Sequence, residues 1–100
     1  MREYMGQVVQ ALAGRDKGGI FYVVGVDQRE PRLLLADGKR RKAARPKAKK
    51  PGHVRLLTDP RQTEAGRPVT QTLQRGETVS DRELRRAIAA FKEEMSLGKG

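Results

Sequence analysis

Apolar residues come in short runs through the first 58 positions, thin out over a polar stretch, and return as one helical stripe near the end. Residues 6–12, GQVVQAL, have the β-branched, partly alternating pattern of a strand. Val8 and Leu12 fall on one face and Val9 and Ala11 on the other, so the pattern leaves open which face is inside. AGRDKGG follows, and its Gly14, Gly18 and Gly19 suit a tight turn because glycine reaches positive φ without a Cβ penalty. IFYVVGV, residues 20–26, is the clearest strand, β-branched and aromatic between turn formers. DQREPR is a polar connection, and its Pro31 has no N–H for a ladder. LLLA then makes a short strand, and Asp37-Gly38 predicts a type I′ hairpin with KRRK, residues 39–42, returning. Ala43 to Gly52 reads as an extended loop with two prolines, and HVRLLT, residues 53–58, as a last short strand. Four to five short strands without a helix predict a mainly β domain over residues 1–58. Its expected form is a small barrel or strongly bent sheet, closed so that no edge is left bare.

Residues 59–79 are rich in Thr, Gln, Gly and Pro with no sustained period, and read as a polar linker of little structure. Residues 80–97 form the third segment, with a helix expected over about 81–96. Ser80 and Glu83 have capping-box spacing, and Val79 can staple onto Leu84. Leu84, Ala87, Ile88, Phe91 and Met95 share one face, and Asp81 can pair with Arg85 one turn on. A single apolar stripe needs a cover, so this amphipathic helix should pack on the β domain or, as the rival, in a partner protein's groove.

The charge alters this picture more than the length does. The chain has 100 residues and a formal net charge of +10. Lys39, Arg40, Arg41, Lys42, Arg45, Lys47, Lys49, Lys50 and Arg55 lie in a stretch without an acid, and outside it 13 bases stand against 12 acids. The excess is therefore local, and such a concentration attracts nucleic acid or an anionic membrane. Large apolar residues are not interleaved with the bases, which weighs against membrane. The run lies between expected strands, which weighs against a targeting tag, and its mutual repulsion makes a loop without a partner costly.

Candidate chemistry is sparse. The only histidine is His53, there is no cysteine, and the only serines are Ser80 at a cap and Ser96 at a helix end. No metal site, nucleophile–base pair or phosphate-binding glycine loop is spelled out. The expectation is a cytoplasmic protein that is not an enzyme and uses no cofactor. No run is long and apolar enough for a membrane span, and no secretory signal precedes the first strand.

A strand, a glycine-and-lysine turn and an apolar strand, GQVVQALAGRDKGGIFYVVGV, resemble the KOW motif of ribosomal proteins and transcription elongation factors. The continuation RLLLADGKRRKAARPKAKKPGHVRLLT resembles KOW-containing relatives of the large-subunit ribosomal proteins numbered fourteen-e, six-e and twenty-seven-e. The resemblance covers about residues 4–58 and leaves 59–100 aside. It implies an SH3-like barrel that binds RNA, often ribosomal RNA, in a role associated with translation. It also implies Gly18 as the motif's turn glycine, flanked by Arg15 and Lys17, and Asp37, Gly38 and Lys39 as the hairpin. The chain looks more like small bacterial-type KOW RNA-binding proteins than like a permanent ribosomal component.

The expected RNA surface therefore joins Arg15 and Lys17 to the nine bases and His53, with Gly14, Gly18 and Gly38 shaping the turns. Leu84, Ile88 and Phe91 are expected to pack the helix, or else to recruit a ribosomal or other protein. Tyr4 and Tyr22 read as core or barrel surface rather than stacking platforms, so phosphate and shape recognition of folded RNA fits best. Two rivals remain: an SH3-like module that binds protein, and a nucleoid or transcription protein that binds DNA.

Overall fold

A computed structural model describes residues 2–57 and 64–98. Strands β1 (Val8–Ala11), β2 (Ile20–Asp27), β3 (Arg32–Ala36), β4 (Lys47–Lys49) and β5 (Val54–Leu56) form one antiparallel sheet in the order β4-β3-β2-β1-β5. Short 3-10 turns occupy Arg2–Tyr4 and Pro51–His53. Helices α1 (Gly66–Gln74) and α2 (Asp81–Gly98) follow.

Both faces of the sheet are buried, which is why β1 and β3 show no clean alternation. Val8, Tyr22 and Ala36 are cross-strand neighbours on one face, packed with Val69 and Leu73 of α1 and Leu84, Ala87, Ile88 and Phe91 of α2. Val9, Ala11, Phe21, Val23, Leu33, Leu35 and Val54 form a second cluster on the other face. Within β2 the register shifts between Val23 and Gly25. A Cβ at Gly25 would lie 3.0 Å from Leu34 Cδ1, so the residue is small where two strands close up.

Several expectations change here. Among the described residues no pairing joins β4 to β5, so the sheet stays open where a closed barrel was expected. Asp37-Gly38 does not form a type I′ turn. Only Gly38 has positive φ (78°), and Asp37 instead accepts the backbone N–H groups of Lys39 and Arg41 at 3.0 and 2.9 Å. The chain therefore bends through 38–41, and the strand that returns to β3 is Lys47–Lys49, not residues 39–42. The expected linker contains α1, which buries Val69, Thr70 and Leu73; its residues 59–63, and Thr58 of the expected last strand, lie outside the described residues.

Helix α1 has a physical basis in its ends. Pro68 sits in the first turn, where its missing N–H costs no helical bond. At the other end Gly76 takes φ 81°, and the bonds Gly76 N–H to Leu73 O (3.0 Å) and Glu77 N–H to Thr72 O (3.1 Å) make a Schellman cap. Thr70 fastens the helix to the start of β1 by donating to Gly6 O at 2.9 Å. Tyr22 lies fully buried beside Thr70; its hydroxyl has no well-placed partner among the described residues, and burial pushes its pKa up to about 12.

Helix α2 begins as expected. Ser80 and Glu83 exchange reciprocal bonds of 3.1 Å, and Val79 is buried in the same cluster as Leu84. Asp81 and Arg85 do not pair with each other. Asp81 accepts the N–H of Ala43 at 2.7 Å, and Arg85 donates to Gly38 O at 2.7 Å. Both side chains are spent on docking the helix to the basic segment. A Cβ on Gly38 would collide with the Asp81 carbonyl, so glycine is required there by contact as well as by φ.

Candidate nucleic-acid interface

The interface is built around the turn between β1 and β2. Gly18 N–H bonds to Ala11 O (2.8 Å), Gly19 N–H to Asp16 O (2.8 Å) and Lys17 N–H to Gly14 O (3.2 Å), with Gly14 and Gly18 at φ 81° and 87°. Folded this way, the turn buries the Asp16 side chain and leaves Arg15 and Lys17 exposed.

Asp16 then organises the basic segment. Its Oδ2 accepts Arg41 Nη2 at 2.9 Å and Nε at 3.2 Å. Burial pushes its pKa up, but the Arg41 hydrogen bond and charge, with Arg40 and Lys49 nearby, outweigh that and hold the carboxyl below its ordinary value. Lys49 is also buried, with Nζ 2.6 Å from Ala13 O and close enough to Gly14 that a Cβ there would meet it at 2.8 Å. Arg55 is drawn toward the same turn through Gln10, which accepts from Arg55 Nη2 at 2.9 Å and donates to Gly18 O at 3.3 Å.

The expected RNA-binding residues therefore divide. Arg41 and Lys49 are tied to the β1–β2 turn, Arg41 through Asp16 and Lys49 through Ala13 O. Arg15, Lys17, Lys39, Arg40, Lys42, Arg45, Lys47, Lys50 and Arg55 are exposed. His53 is exposed too, at the end of a 3-10 turn rather than in the last strand, and its backbone carbonyl accepts from Leu12. The named contacts gather Arg15, Lys17, Arg40 and Arg55 around one turn. They do not tie Lys42, Arg45, Lys47, Lys50 or His53 to it; those residues follow the loop and strand β4.

Of the acids in this region Asp16 is buried, and Asp37 and Asp81 are half-buried. Asp16 is spent on Arg41, Asp37 on two backbone N–H groups, and Asp81 on Ala43. Each carboxylate thus folds the chain, and none of the three is paired with an exposed base of the loop.

Leu84, Ile88 and Phe91 are buried against the sheet, so the apolar stripe of α2 is covered within the chain. Two cations outside the expected RNA surface, Arg85 and Lys92 of α2, line a groove with Lys39 and Arg40. Their signal was spacing: seven residues apart, they flank the apolar stripe on one side. Among the described residues no helix is long and apolar enough to cross a membrane. No protein-family model matches the chain, and no curated protein matches it either.

Proposed function

We propose that the protein is a non-catalytic RNA-binding module that docks on structured RNA, with ribosomal RNA the first candidate. The observation that carries this reading is that Asp16, Asp37 and Asp81 are bonded within the frame, while nine neighbouring lysines and arginines stand exposed on it. Bases held this way suit phosphates spaced along a backbone, where each contact releases condensed counterion. The scarcity of exposed aromatics favours contact with backbone and shape over stacking on unpaired bases. The finer fold proposed is an SH3-like sheet of the KOW type, left open between β4 and β5. It is supported by the β1-to-β4 meander with β5 returning to β1, and by the glycine turn holding the basic segment.

Salt dependence tests the reading. With four to six phosphate contacts, affinity for a single strand should fall with a log–log slope of about −3 to −4. Replacing Lys42, Lys47 and Lys50 together with Ala should weaken binding across unrelated sequences and flatten that slope by about 2. Stability should change by no more than about 0.5 kcal/mol per site, since all three are exposed. Equal RNA affinity of variant and parent would remove the basic loop from the interface.

A further inference from the structure

The groove lined by Lys39, Arg40, Arg85 and Lys92 lies between α2 and the bend after β3, with Ile88 and Ala89 in its helical wall. Its volume is about 270 Å³, just under the roughly 300 Å³ at which pockets for small organic ligands begin. Asp37 is the one acid in its lining, and that carboxylate already accepts two backbone N–H groups. Four cations thus stand against one carboxylate in the lining, which leaves the cleft with an excess of positive charge. Arg85 is held in place by its 2.7 Å bond to Gly38 O, so one guanidinium is fixed before any ligand arrives. The wall is apolar between the charges: Ile88 is nearly buried, while Ala89 is exposed and small enough to leave the cleft open.

We propose that this groove holds one nucleotide of the bound RNA, its phosphate among Lys39, Arg40 and Lys92 and its base or ribose against Ile88 and Ala89. The inference rests on the RNA-binding reading and extends it. Lys39 and Arg40 belong both to the basic segment and to the groove, so a strand following the segment passes the cleft without a break in positive charge. A bare patch of cations would serve phosphates alone; an apolar wall between cations suits a residue that is anionic at one end and flat and weakly polar at the other. Helix α2 thereby becomes a wall of the RNA interface, as well as the cover of the sheet.

The test uses the full chain, a labelled 12-nucleotide single strand and a ribosomal RNA hairpin, with affinity measured over a range of salt. Lys92→Ala should weaken single-strand binding three- to tenfold and reduce the magnitude of its salt slope by about 0.7, one phosphate's worth. Ala89→Trp fills the cleft without changing charge, and should weaken binding severalfold with the slope unchanged and the thermal midpoint preserved. If tryptophan at 89 lowers the midpoint, Lys92→Ala alone decides, because Lys92 is exposed. Parent-like binding by Lys92→Ala, with weakened binding by the Lys42/Lys47/Lys50 variant, would overturn the groove and leave the RNA reading standing. Failure of the parent chain to bind either RNA would overturn both.

Discussion

Arg41 and Lys49 come from the same acid-free run as Lys42 and Lys47, yet the fold gives the two pairs opposite tasks. The first pair is turned onto the β1–β2 turn, where Asp16 and the Ala13 carbonyl receive them at 2.9 and 2.6 Å. The second pair is exposed. Residue type does not separate them; what separates them is the acceptor that a turn some 25 to 36 residues earlier in the chain presents. A cationic run can thus contain its own anchors, and its charge count overstates the charge it offers a ligand.

The sharpest way to break this division is Asp16→Asn. The change keeps the shape of the side chain and removes the charge that compensates Arg41, whose side chain is 31% exposed. Losing one partner of a buried pair costs roughly 3–5 kcal/mol; partial exposure of Arg41 brings the expected loss nearer 2–3 kcal/mol. Chemical denaturation would measure it. The same carboxyl sets an acid limb. Its pKa is lowered in the folded state, so its contribution is present above the ordinary aspartate range and is lost as pH falls through the lowered value. The parent should lose stability in that window and the Asn variant should not. RNA affinity at low salt should hold or rise, because Arg41 is released to solvent.

Lys49→Met tests the second anchor. Methionine matches the length of the stem but cannot donate, so the Ala13 carbonyl loses its 2.6 Å partner. An acceptor left unsatisfied away from water costs about 1–3 kcal/mol, and the apolar replacement recovers part of that through burial. The expected net loss is about 1–2 kcal/mol. RNA affinity should stay within about twofold, in contrast to the exposed lysines. A tenfold loss of RNA affinity at full stability would place Lys49 among the ligands and erase the division.

Much of the frame could be read in advance, for reasons tied to particular residues. Strands β2 and β3 and helix α2 announce themselves because their signals are local: β-branched runs between turn formers, and a Ser80–Glu83 box before a long stripe. The open sheet and the late return strand were hidden. Asp37 has a side chain that bonds nearby N–H groups, and that local bond outcompetes the two-residue hairpin its sequence suggests. Helix α1 was hidden because Val69 and Leu73 alone carry its buried apolar face, too few to show a period, although Pro68 and Gly76 mark its ends. The basic region was legible as a region. Its partition was not, since nothing in a run of lysines records that Lys49 will meet the carbonyl of Ala13.

The finest test of that partition is Arg41→Lys, which keeps the charge and changes only its shape. Arg41 places both Nε and Nη2 on a single oxygen of Asp16, at 3.2 and 2.9 Å. A lysine can bring one compact, strongly hydrated ammonium to that oxygen, on a shorter reach and without the planar fork. If Coulomb attraction alone holds the turn to the basic segment, the substitution should cost almost nothing. If the fork's orientation matters, the cost should be about 1 kcal/mol, roughly one hydrogen bond's net worth, and the acid limb of Asp16 should survive, because a cation still faces it. The second outcome is expected: Asp16 is buried enough that a hydrated ammonium must shed water to reach it, whereas guanidinium is more weakly hydrated. Paired measurements of stability and RNA affinity on this one variant separate anchor from ligand, since a ligand role for Arg41 would weaken RNA binding while leaving the turn intact.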